Sequence, residues 1–248
     1  MKMHNFLGLS TCLLLFVAAV PGAIAAPITC PTTGNYQELL NSNAGGGCTI
    51  SVGAGASLTF SNFTFTPTGV GTPTAAGMGY TLDDPGTGTG GVPIFGFEFN
   101  PGLSVTGTSA TQDIALSYLI VPTGTAITSA HLLENASATG AGVAQVSENL
   151  MFCIASDPNN SSGTCRTFGA NPLLVTTAGS LDHVANFGAW TSMTVSKDIN
   201  ASSGVTGGTA TISQVRDSVD LATPEPTTYS LLGIGLLAFG YFARRRTA

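Results

Sequence analysis

A chain of 248 residues with 43% hydrophobic content can bury a core, which excludes global disorder. Only 8% of its residues are charged, against roughly 25% in an ordinary soluble domain, so Thr, Ser, Asn and Gly must cover the surface. The net charge is −6, and between the termini only Arg166, Lys197 and Arg216 are basic; no cation cluster exists to displace counterions from phosphates, which excludes nucleic acid as a partner.

Residues 1–25 read as a cleaved secretory signal. Lys2 supplies the positive start, Phe6 to Val20 the apolar stretch, and Pro21-Gly22 a break. Ala23 and Ala25 then occupy the two small positions of an A-x-A cleavage site, leaving Ala26 as the new N-terminus. A start-anchored transmembrane helix is the competing reading, and the cleavage signature speaks against it.

After Cys12 leaves with the signal, Cys30, Cys48, Cys153 and Cys165 remain, and an even count in an exported chain reads as disulfides. Three pairings are possible; short loops favour Cys30 with Cys48 and Cys153 with Cys165. Neither pair has the C-x-x-C spacing of a metal site. "NYQELLNS" is the best helix candidate, about two turns long. Strand signals then recur: "SLTFSNFTFT" alternates with a phase slip at Asn62 that predicts a bulge, and "PIFGFEFN" places Phe95, Phe97 and Phe99 on one face. "IALSYLIV", "AITSAHLL", "AWTSMTVSKDI" and "GTATISQV" follow between Gly, Pro and Asn breaks. Residues 26–222 are therefore expected to form one all-β ectodomain, an antiparallel, jelly-roll-like sandwich of roughly eight to twelve strands.

Familiar catalytic constellations fail in this stretch. Neither G-x-S-x-G nor H-E-x-x-H occurs. "GTGTGG" at Gly86 to Gly91 leads into a strand and not a helix, so a loop is expected there, without phosphate binding. His131 lies in a strand pattern and reads as a packed or surface residue. Asp182 and His183 are strand neighbours that point to opposite faces. Asp83-Asp84 in "TLDDPGTG" reads as an ordinary turn. "DPNNSSGTC" alternates Asp157, Asn159 and Ser161 like the start of a calcium loop, but it lacks the sixth-position Gly and the twelfth-position Glu. Trp190 with Phe187 could stack on a sugar, though a core role is the better fit. No catalytic residue, metal ligand or cofactor is assigned.

The last residues differ in kind. Pro224, Glu225 and Pro226 precede Thr227 to Ala243, an uncharged, mostly apolar run at the short edge of what spans a bilayer. Arg244, Arg245 and Arg246 follow and hold that end on the cytoplasmic side, leaving the body outside the inner membrane. This Pro-Glu-Pro, Leu/Gly-rich run and Arg cluster resembles the PEP-CTERM sorting signal of Gram-negative bacteria, with Thr223 where Val is common. The resemblance implies recognition by an exosortase, a membrane-embedded cysteine transpeptidase of bacteria that export polysaccharide. It implies a single-pass intermediate in the inner membrane, then a place at the cell surface or in the extracellular matrix. Tails of this kind also occur on some ice-binding proteins. The stretches "GGGCTISVGAGASLTFSNFTFTPTG" and "FGFEFNPG", with Glu148-Asn149, resemble other PEP-CTERM proteins of soil bacteria, and that likeness implies no activity.

Three functions are carried forward. The first is a non-enzymatic surface or matrix protein associated with exopolysaccharide and biofilm. The second is a carbohydrate- or ice-binding module; a regular T-x-T array would support ice binding, but Thr64/Thr66, Thr106/Thr108, Thr123/Thr125 and Thr209/Thr211 share no common interval along the chain. The third is a secreted hydrolase, which needs convergent carboxylates or a nucleophile.

Overall fold

Alternation of apolar and polar residues governs the stretch 26–222, and most of its described residues form strand. The computed structural model describes residues 26–53, 55–87, 93–152, 166–167, 173–176 and 182–222. In chain order the elements begin with β1 (Ile28–Thr29), β2 (Thr33–Asn35), helix α1 (Tyr36–Ser42) and a 3-10 turn at Asn43–Gly45. Next come β3 (Cys48–Gly53), β4 (Ala56–Thr68), β5 (Gly79–Thr87), β6 (Pro93–Asn100), β7 (Leu103–Gly107) and β8 (Thr111–Thr123). The remainder are β9 (Ile127–Gly140), β10 (Val143–Phe152), β11 (Arg166–Thr167), β12 (Leu173–Thr176), β13 (Asp182–Trp190), β14 (Met193–Ser202) and β15 (Gly208–Leu221).

These strands form two sheets. The first runs β1-β3-β4-β8-β14-β10-β11, with β12 also paired to β10. The second runs β13-β9-β15-β6-β5-β2, with β7 also paired to β15. The all-β sandwich read from the sequence is therefore what forms. It exceeds the expected strand number because β1, β2 and β11 are only two or three residues long. Among the described residues pairing is antiparallel except for β1 beside β3, which is parallel.

Inward-facing residues of both sheets make one core. Its densest part is aromatic: Phe60, Phe63, Phe97, Phe99, Tyr118 and Tyr36 contact one another with ring centroids 4.8–6.3 Å apart. Phe95, Phe97 and Phe99 are all buried, as the alternation requires. Gly96 between them lets β15 approach, because a Cβ there would collide with the Asp217 carbonyl oxygen.

The phase slip at Asn62 is a bulge. Asn62 adopts a left-handed conformation (φ 56°), and the β4–β8 register breaks between Ser61 and Thr64. Phe63 loses its ladder partner there, and the Asn43 side chain replaces it. The Asn43 amide donates to the Phe63 carbonyl and accepts from the Phe63 amide, both at 2.9 Å. Helix α1 falls within the expected "NYQELLNS" and is capped by Asn35, whose Oδ1 accepts from the Glu38 amide at 3.3 Å and whose Nδ2 donates to Glu38 Oε1. The helix buries Tyr36 and Leu39, and Cys30 is bonded to Cys48 on β3.

The signal with Ala23 and Ala25 lies outside the described residues. So does the tail with Pro224, Glu225, Pro226, the run 227–243, Arg244, Arg245 and Arg246. The Cys153–Cys165 pairing and the "DPNNSSGTC" loop also fall outside them.

Candidate functional site

The structure brings charge together in the interior. Strand alternation aims Lys197 of β14 inward with Met193, Val195 and Ile199, and it aims Glu148 of β10 inward with Ala144, Val146 and Leu150. These two are directly opposite in the β10–β14 register, and Lys197 Nζ contacts Glu148 Oε2. Across the sandwich Asp217 of β15 projects between Val215 and Val219 and places Oδ2 3.0 Å from the same Nζ. All three side chains are sealed from water. Apart from these contacts, neither carboxyl nor the amine has a hydrogen-bond partner. Burial holds the Lys197 amine well below its ordinary range. Burial, with the nearby Asp83 charge second, holds Asp217 well above its own. Glu134 of β9 is also interior, its oxygens lack hydrogen-bond partners, and burial pushes it up to about 7.

Sequence reading counted Lys197 and Arg216 only as scattered cations. The missed signal was phase: Glu148, Lys197 and Asp217 each occupy a position where the strand's alternation calls for an apolar side chain.

The outer face of the second sheet is arranged differently. Asp83 is not in a turn, as "TLDDPGTG" suggests. It is the fifth residue of β5, because the strand continues to Thr87 through a bulge between Asp83 and Gly86. Its carboxylate accepts from the Arg216 guanidinium at 2.8 Å. His131 is partly buried, with Nε2 3.1 Å from Asp220 Oδ2, and Ser129 Oγ donates to that same oxygen. The Ser129 proton thus points to a carboxylate and not to the imidazole. Asp182 and His183 stand opposite Leu133 and Leu132 on β9. Trp190 packs half-buried on Phe152 (centroids 4.8 Å), which fits the core reading.

Further along this face, register aligns what spacing kept apart. Thr139, Thr209 and Thr106 form one row across β9, β15 and β7, and Ser137, Thr211 and Ser104 form the next. The Thr139–Thr209 and Ser137–Thr211 hydroxyls hydrogen-bond at 2.7 Å. Of the T-x-T stretches, Thr209/Thr211 lies wholly in this two-row hydroxyl array, Thr106 joins it without Thr108, and Thr139, Ser137 and Ser104 complete it. The array borders an open cleft of about 460 Å³ lined by Val70, Ser104, Thr106, Ser109, Thr111 and Gln112 among others. The cleft lies along the free edge of β7, where Gln112 Oε1 accepts from the Ser104 amide at 2.7 Å. Gln112 Nε2 in turn donates to the Val70 carbonyl.

Among the described residues no cluster of three His, Cys, Asp or Glu side chains is placed to hold a metal ion. No described helix is long and apolar enough to cross a membrane.

Fold and surface together define a two-sheet β-sandwich with a charged interior and a hydroxyl array on part of its outer face. The chain also carries a PEP-CTERM sorting domain: the family model described as "PEP-CTERM protein-sorting motif" matches residues 222–246. That motif implies an exported protein that passes through a membrane-anchored intermediate and is processed by an exosortase, a membrane enzyme. No curated protein matches the chain. Among solved structures, a chain described as TmCBM61 in complex with beta-1,4-galactotriose is similar at 11% identity and a TM-score of 0.26. The match covers 62% of this chain and 86% of that one, and at that TM-score it carries no argument.

Proposed function

We propose that the protein is a non-enzymatic component of the cell surface or extracellular matrix, associated with exopolysaccharide after sorting through its tail. The observation that supports this most is the Ser/Thr array on the second sheet. A flat set of exposed hydroxyls offers donors and acceptors to a hydrated glycan over an extended area, and it adds no charge. The test is co-sedimentation of the exported protein with exopolysaccharide from its own host, comparing wild type with Thr139→Val/Thr209→Val/Thr211→Val. Retention of the wild type and loss of the triple variant support the reading; equal behaviour sinks it.

The same array favours a second reading, a carbohydrate- or ice-binding module. Here the rows would order water or a defined sugar, and the measurement is thermal hysteresis beside a glycan array. Sorting has its own test. Changing Pro224-Glu225-Pro226 to three alanines should leave full-length protein in the inner membrane of an exosortase-competent host, whereas wild type loses its tail. Equal retention of both would leave a plain anchor.

A further inference from the structure

We propose that Lys197 and Glu148 are joined by an intramolecular isopeptide bond, formed autocatalytically in the folded sandwich with Asp217 as the proton carrier. The β10–β14 register sets the two residues directly opposite, and their side chains meet at Nζ and Oε2 inside the core. Asp217 approaches the same nitrogen from the other sheet, at 3.0 Å, so the reacting pair and a third carboxyl converge on one point.

An ordinary buried ion pair does not account for this arrangement well. Buried carboxylates normally accept several hydrogen bonds, and a sealed ion pair holds only if its remaining lone pairs are satisfied. Here Glu148, Asp217 and Lys197 have no hydrogen-bond partners beyond their mutual contacts. Condensation would remove both charges at once. The neighbours suit the reaction, since dry apolar surroundings favour a neutral amine, the nucleophilic form, and a protonated Asp217. The unfolded chain supplies neither the contact nor the dryness, which confines the reaction to the folded state.

The step balances without an oxidant or cofactor. Proton transfer within the pair gives a neutral amine and a carboxylic acid. Nζ attacks the Glu148 carboxyl carbon while Asp217 donates a proton to the carboxyl oxygen, and it then takes one from the attacking nitrogen. The tetrahedral intermediate collapses, the C–N amide bond forms, one C–O bond breaks, and that oxygen leaves as water. Asp217 ends as it began.

Peptide mapping of the exported full chain, reduced, alkylated and digested with chymotrypsin, reads the bond directly. The expected result is a branched species holding Lys197 and Glu148, lighter than the two linear peptides together by one water. Recovery of both linear peptides with no branched species overturns the proposal, whatever the variants do. Glu148→Gln should give a branched peptide of identical mass, because ammonia then leaves in place of water; a linear map from a folded variant would count against the amide chemistry. Asp217→Asn, checked for its strand-type circular dichroism, should leave the peptides linear. Bond formation as complete as in the wild type would remove Asp217 from the mechanism.

Discussion

Two polar regions of this sandwich treat water in opposite ways. Inside, Lys197, Glu148, Asp217 and Glu134 hold ionisable groups where almost no water reaches, and each depends on its neighbours for a tolerable charge state. On the outer face of the second sheet, Thr139, Thr209, Thr106, Ser137, Thr211 and Ser104 present only hydroxyls, which solvent satisfies freely. A chain with 8% charged residues thus buries five of them among the described residues, these four and Asp83. Low charge in composition says little about where charge sits, and the interior positions are the ones whose replacement should matter.

The largest effect should come from breaking the interior set unevenly. Lys197→Ala removes the link to Glu148 and the nitrogen beside Asp217 together and leaves two carboxyls facing each other in the core; loss of one partner of a buried pair alone costs about 3–5 kcal/mol. Denaturant unfolding should show that loss. Lys197→Met with Glu148→Leu, which removes the pair together, should lose less, and the gap between the two variants measures how far charge and packing contribute separately. A loss of the same size in both would mean the interior charges matter only as volume.

The disulfide calibrates the scale, because it touches neither region. Cys30→Ser/Cys48→Ser should cost about 3 kcal/mol, the loop-closure contribution of a short bridge. The difference should vanish when wild type is measured in reductant.

Two carboxyls should also register in pH, Glu134 inside the sandwich and Asp198 on the outer side of β14. Folding raises Glu134 from its usual 4.5 to about 7 through burial. It raises Asp198 to about 6, first through its side-chain hydrogen bond with Asp113 and then through burial. In both cases the folded state keeps a proton that the unfolded chain has released. Stability should therefore fall as pH rises from about 4 through about 7. Thermal melts across that range should show the decline, Glu134→Gln should flatten its upper part, and a slope of opposite sign would contradict the assignment.

The smallest change in stability belongs to the hydroxyl face. Thr209→Val/Thr211→Val should shift unfolding by no more than about 0.5 kcal/mol, as for ordinary surface positions. A larger loss would make the array structural.

Local features were the legible ones. The helix at Tyr36–Ser42, the Asn62 bulge and the inward Phe95, Phe97 and Phe99 are each set by a few adjacent residues, and period or turn chemistry reveals them. The Cys30–Cys48 bond followed from loop length. Non-local register stayed hidden. Nothing along the chain says that Glu148 faces Lys197 or that Thr209 stands between Thr139 and Thr106, since both depend on which strands become neighbours. Asp83 was misread for a related reason: Pro and Gly after it signal a turn locally, and a bulge absorbs them into the strand.

Gln112 has a consequence for life at high local concentration. Strand β7 ends the second sheet along part of its length, and an unpaired edge is a template for another molecule's strand. Gln112 takes the Ser104 amide with its own side chain and ties itself to the Val70 carbonyl, so part of that template is already used. A protein crowded beside its own copies is thereby hindered from adding them edge to edge into fibres.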